Sequence, residues 1–197
     1  MIQLAKGRNE SSDDHSVKTL VIGGCRSGKS KFALEQALLF APCRVFVATL
    51  EKKGDAEMDQ RIKFHLESRA RDWITVEEPI RIVELLLDRQ QETDVFLVDC
   101  LTMWITNYIM RGVSNSDIEK EVRGLRKVVS DMSTPVIFVA NEVGSGIVPE
   151  TSLGRRFRDL AGWTNQQMAQ VCNEVVFVAA GLPMYLKKDE TTSPSIR

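Results

Sequence analysis

An unbroken alternation of strand-like and helix-like stretches predicts a three-layer α/β domain: a mainly parallel sheet with helices on both faces. Three observations carry the prediction. Short runs rich in β-branched and aromatic residues, each four to seven apolar positions long, recur between residues 18 and 181. Longer stretches with helical apolar spacing separate them. No linker, internal repeat or low-complexity block interrupts the series.

The first strand is KTLVIG (18–23), followed by a helix over SKFALEQALLF (30–40). CRVFVAT (43–49) is the second strand and DAEMDQRIKFHLESR (55–69) the helix after it. A shorter strand is expected at WITVEE (73–78), before the helix IRIVELLLDRQ (80–90). DVFLVD (94–99) leads into two helical patterns, LTMWITNYIMR (101–111) and SDIEKEVRGLRKVVSDM (116–132). TPVIFVAN (134–141), the helix GRRFRDLAGWTNQQMAQVC (154–172) and a last strand EVVFVAAG (174–181) complete the series. Ligands of such sheets bind beyond the carboxyl ends of the strands, so chemistry is sought just after each one.

The 197 residues suit one domain with a proper core, and 43% apolar with 27% charged residues is an ordinary globular balance. Residues 18–188 are expected to form that domain, with 1–17 and 189–197 as mobile tails. Lys and Arg (26) nearly cancel Asp and Glu (27). Nucleic acid is therefore not an expected partner, and phosphate recognition must be local. Cys25, Cys43, Cys100 and Cys172 form no C-x-x-C pair, which suits neither zinc nor disulfides and fits a reducing cytoplasm. The longest apolar runs, such as DVFLVDCLTMWI, are too short to cross a bilayer, and the first residues carry no apolar signal core.

Immediately after the first strand comes GGCRSGKS, which fits G-x-x-x-x-G-K-[ST] through Gly23, Gly28, Lys29 and Ser30. Glycines let successive N–H groups point inward at phosphate oxygens, and the helix that follows offers a positive N-terminus. Lys29 is expected to reach the β and γ phosphates and the Ser30 hydroxyl to ligate Mg²⁺. Asp99 closes the strand DVFLVD, where a second Mg²⁺-directed carboxylate belongs; it also suits a cap on the next helix.

Further groups collect at the other strand ends. Thr49, Leu50 and Glu51 end the second strand on the nucleotide side. Helical spacing then aligns Met58, Arg61, Ile62, His65 and Arg69 near one face. His65 is one of two histidines in the chain, the other being His15 in the leader. Arginines one turn away on either side would suit a phosphorus centre attacked by neutral imidazole. A solvated helix of mixed charge fits the same spacing. Glu77 and Glu78 could bond a ribose or base edge, or be solvated before Pro79. NEVGSGIVPE carries Gly144 and Gly146, a flexible or tightly turned loop. Arg155, Arg156 and Arg158, with Asp159, open the last helix against its dipole, which suits an anionic partner or a solvated face.

Together GGCRSGKS, VATLEKKGDAEMDQRIKFHLESR, W-x-T-V-E-E-P, LVDCLTMWITN, ANEVGSGIVPE and GRRFRDLAGWTNQQMA resemble the bifunctional adenosylcobinamide kinase / adenosylcobinamide-phosphate guanylyltransferase family of cobalamin assembly. The resemblance spans about residues 18–188. It implies a P-loop NTPase fold with a RecA-like sheet, and two reactions in the cytoplasm. Adenosylcobinamide is phosphorylated with ATP or GTP. GMP then passes from GTP to adenosylcobinamide phosphate through a GMP–histidine intermediate, releasing pyrophosphate. The histidine of R-I-x-x-H is His65 here. By the same matching Gly23, Gly24, Cys25, Arg26, Ser27, Gly28, Lys29, Ser30, Thr49, Leu50, Glu51, Leu66, Glu67, Ser68, Arg69, Glu77 and Asp99 form the nucleotide-binding set, with Mg²⁺ on Ser30 and Asp99. A homo-oligomer, a trimer, is implied too. Two departures stand out: the leader 1–17 precedes the usual start, and Phe64 stands where some relatives carry a second histidine. Since attack on the α phosphorus requires approach of the ring, the helix of His65 is expected to move when GTP binds. A plain P-loop kinase or NTPase without a covalent step, and a non-catalytic nucleotide switch, are the competing readings.

Overall fold

The computed structural model describes residues 16–51 and 73–188. The helix expected over 55–69 therefore lies outside the described residues, as do His15, His65, nearly all of the leader and the residues from 189 on. Twelve elements follow one another among the described residues. They are β1 (Lys18–Gly23), α1 (Lys29–Ala37), β2 (Arg44–Ala48), β3 (Trp73–Glu77), α2 (Ile82–Arg89), β4 (Val95–Asp99), α3 (Leu101–Met110), α4 (Asn115–Asp131), β5 (Val136–Asn141), α5 (Ser152–Val171), β6 (Glu174–Ala179) and β7 (Leu182–Lys187).

The strands form one seven-stranded sheet in the order β3-β2-β4-β5-β1-β6-β7, parallel except for β7. β5 stands between β1 and β4, a RecA-like arrangement that sets Asp99 two strands from the glycine loop. Register aligns the carboxyl ends: Gly23 lies beside Asn141, and Ala48 lies between Glu77 and Asp99.

Central strands are apolar on both faces because both faces are covered. Val95 and Leu97 share a core with Ala33 and Ala37 of α1. Phe96 and Val98, one residue out of phase, share the opposite core with Leu86, Trp104, Val122 and Leu160 from α2 to α5. Each fully buried Leu, Val or Phe contributes about 1.5–3 kcal/mol.

β7 departs from the expected series. Pro183 within LPMYLK argues against a strand, yet β7 is the sheet's edge, where a missing N–H costs no ladder bond. It is antiparallel because the connection is two residues long, with Ala180 at φ 52° and Gly181 at φ 80°. Positive φ at both central positions is the hairpin turn that matches strand twist.

Candidate nucleotide site

β1 delivers the chain into a tight loop at Gly23, and α1 begins at Lys29. Gly28 has φ 96°, and a Cβ there would stand 3.0 Å from the Gly181 Cα. A Cβ on Gly23 would stand 2.4 Å from the Val178 carbonyl oxygen and 2.6 Å from Ser27 Oγ. Space as well as backbone angle therefore demands glycine at 28, and space alone demands it at 23. The Gly181 N–H donates to the Ser27 carbonyl at 2.8 Å, so the β6–β7 turn props the loop from below.

Inside the loop, Lys29 is 8% exposed and its Nζ donates to the Gly24 carbonyl at 3.0 Å. Ser27 Oγ is buried without a hydrogen-bond partner among the described residues. Among the described residues no side chain caps the first turn of α1. A nearly buried ammonium, an unpartnered hydroxyl and an uncapped helix N-terminus suit a phosphate chain.

Ser30, in the first turn of α1, and Asp99, the last residue of β4, are both half-buried oxygen donors. Among the described residues no group of three or more His, Cys, Asp or Glu could hold a metal. One hydroxyl and one carboxylate nevertheless fit Mg²⁺, which takes few protein ligands and completes its shell with substrate phosphates and water.

One helix ties the strand ends together. Asn107, on α3 and 3% exposed, donates through Nδ2 to the Thr49 carbonyl (2.7 Å) and the Pro79 carbonyl (3.0 Å). Trp104 Nε1 and the Tyr108 hydroxyl both donate to the Ile80 carbonyl, at 2.7 and 3.2 Å. The Thr102 hydroxyl accepts from the Asn141 N–H at 2.6 Å. Thr49 is fully buried; its hydroxyl donates to the Cys100 carbonyl and accepts from the Cys100 N–H, each at 2.7 Å. The ends of β2, β4 and β5 and the chain beyond β3 are thereby fixed relative to one another.

The expected nucleotide set divides accordingly. Residues 23–30, Thr49–Glu51, Glu77 and Asp99 gather along the carboxyl edge of the sheet. Thr49 spends its hydroxyl within the protein, and Glu51 pairs with Arg111 at 2.9 Å. Leu66, Glu67, Ser68 and Arg69 lie outside the described residues with His65. Glu78 accepts from the N–H groups of Ile80 (3.0 Å) and Arg81 (2.7 Å), so its carboxylate is engaged in the turn that precedes α2. Arg155 donates to the carbonyls of Pro149 (3.0 Å) and Glu150 (2.7 Å), and Arg156 to Asn115 Oδ1 (2.6 Å) and the Val113 carbonyl. Those two arginines hold loops together. Sequence reading missed Thr102, Asn107, Arg111 and Gly181. The one available signal was a polar asparagine within the apolar run LTMWITNYIM.

Sheet and loop define a P-loop nucleotide-binding protein of RecA-like architecture. Residues 19–186 match the family described as cobinamide kinase / cobinamide phosphate guanyltransferase, and the chain belongs to that family. It is an enzyme of this bifunctional class, in cobalamin biosynthesis. The bifunctional adenosylcobalamin biosynthesis protein CobP of Pseudomonas aeruginosa is 37% identical, over 87% of this chain and 98% of its own. The CobU proteins of Escherichia coli and Salmonella typhimurium are 36% and 34% identical, each over 85% of this chain and 98% of their own. A solved protein of Pyrococcus horikoshii OT3 shares the fold, with TM-score 0.55 at 9% identity, over 92% of this chain and 94% of that one. No helix among the described residues is long and apolar enough to cross a membrane.

Proposed function

We propose that this enzyme carries out two phosphorus reactions at one phosphate cradle, within a single domain 18–188. In the first, the hydroxyl of adenosylcobinamide attacks the γ phosphorus of ATP or GTP. The bond from that phosphorus to its bridging oxygen breaks, the nucleoside diphosphate leaves, and the hydroxyl proton goes to solvent. In the second, an imidazole nitrogen of His65 attacks the α phosphorus of GTP and pyrophosphate leaves. A phosphate oxygen of adenosylcobinamide phosphate then attacks the same phosphorus. The P–N bond breaks, His65 is restored and adenosyl-GDP-cobinamide is formed.

The observation that carries this reading is the cradle itself, with Lys29 nearly buried and the Ser27 hydroxyl without a partner among the described residues. Gripping the β and γ phosphates orients the γ phosphorus for kinase attack and equally steadies pyrophosphate as a leaving group. Mg²⁺ on Ser30 and Asp99 would neutralise charge on those phosphate oxygens. Leu66–Arg69 and Glu77 complete the proposed nucleotide contacts. The enzyme is proposed to work in the cytoplasm as a homo-oligomer, a trimer.

Incubation with α-labelled GTP tests the covalent step. Acid-labile, base-stable label should appear on the protein, and mass spectrometry should locate GMP on His65. His65→Ala should abolish guanylyl transfer while retaining kinase activity. Lys29→Ala should lower both by about a hundredfold or more. Normal guanylyl transfer by His65→Ala would overturn the histidine assignment and favour a plain kinase.

A further inference from the structure

The loop between β5 and α5 presents its largest aliphatic residues to water beside the phosphate cradle. Ile147 is 96% exposed and Val148 58%. The loop is nonetheless held at both ends. The Glu142 N–H donates to the Gly23 carbonyl at 3.0 Å, which joins it to the first residue of the cradle. The Glu142 carboxylate then accepts from the N–H groups of Gly144 (2.7 Å) and Ser145 (3.3 Å). At the far end the Arg155 guanidinium donates to the carbonyls of Pro149 and Glu150, and Thr151 caps α5 through the Gly154 N–H at 3.1 Å. Pro149 packs on Gly154, where a Cβ would stand 2.7 Å from the proline's own.

We propose that Ile147 and Val148 form the platform for the apolar rim of the corrinoid acceptor, an inference that rests on the function proposed above. The acceptor's reacting oxygen must stand in front of the cradle, and its large ring must extend over a neighbouring strand end. β1 has two neighbours, β5 and β6. On the β6 side the Ala180–Gly181 turn packs directly beneath the loop at Ser27 and Gly28. On the β5 side the anchored loop offers exposed aliphatic side chains. A corrin ring carries methyl groups on its periphery, and covering Ile147 and Val148 with them removes apolar surface from water on both partners. Fixed ends mean that little ordering cost offsets that gain.

The test is the double variant Ile147→Ser, Val148→Ser, compared with Ile147→Leu, Val148→Ile. In the serine variant the KM for adenosylcobinamide should rise about tenfold or more. The KM for nucleotide should not change, nor should the sedimentation coefficient, and the aliphatic pair should restore the acceptor KM. An unchanged acceptor KM in the serine variant would overturn the platform alone. A shift in sedimentation would assign these residues to a contact between copies of the chain and overturn it too. Wild-type enzyme that neither binds nor modifies adenosylcobinamide would overturn both the platform and the function on which it rests.

Discussion

Cys25 stands exposed on the phosphate loop, whereas Cys100 and Cys172 are buried and their thiols are each pushed up to about 12 by desolvation, Asp99 adding to the effect at Cys100. The thiolate is the reactive form, so a maleimide at neutral pH should modify Cys25 and leave Cys100 and Cys172 untouched. Peptide mapping should find that label, saturating GTP should slow its appearance, and labelled protein should lose nucleotide binding. Early labelling of Cys100 would contradict its burial. Glycine 23 makes a second prediction at this scale. Gly23→Ala drives a methyl into the Val178 carbonyl and should cost about 1–3 kcal/mol, read as a lower urea midpoint.

Among the elements, α3 does most to shape the site, and its polar contacts differ widely in worth. Asn107 satisfies two carbonyls, that of Thr49 in a buried bond and that of Pro79 in a part-buried one. Asn107→Leu should cost about 1–3 kcal/mol, chiefly for the buried Thr49 carbonyl left unpaired, and raise the KM for GTP because the ends of β2 and β3 lose their common tie. Arg111, by contrast, pairs with Glu51 where the two side chains are 46% and 32% exposed. Solvent screening reduces such a pair to about 1 kcal/mol or less, so Arg111→Ala should scarcely move the urea midpoint. Equal losses from both variants would refute this ranking.

Stability of the whole molecule should fall under alkaline conditions. Cys100 and Cys172 keep their protons in the fold to about 12, above the ordinary thiol value of 9.0. Their stabilising contribution is full below the unfolded value and is lost as pH rises through the folded one, because the unfolded chain ionises first. Tyr108 acts in the same sense, raised by burial with Glu121 and Glu84 adding. Lys18, lowered by burial, acts in the opposite one. Melting temperature should therefore decline from about pH 9 upward, and Cys100→Ala with Cys172→Ala should flatten the decline. A slope unchanged in that double variant would place its origin elsewhere.

Legibility followed the range of the interactions involved. The cradle was readable because its parts are consecutive: glycines, lysine and serine within GGCRSGKS act on one another through the local backbone. Strands buried on both faces were readable because apolar runs between helical patterns have few other uses. β7 was not, because a proline and exposed leucines hide a strand that, among the described residues, pairs with β6 alone. Arg155 and Arg156 suited an anionic partner or a solvated face, and no local spacing announced their bonds to carbonyls of their own and neighbouring loops.

The sequence by itself determined the phosphate-binding loop, the family, and the order of the described strands and helices up to β6. Only the tertiary structure decided that β5 separates Gly23 from Asp99, that the Ala180–Gly181 turn supports Ser27, and that Asn107 binds two strand ends at once. Those contacts join residues far apart along the chain. Such meetings exist only once the sheet has chosen its strand order, and no local spacing encodes that choice.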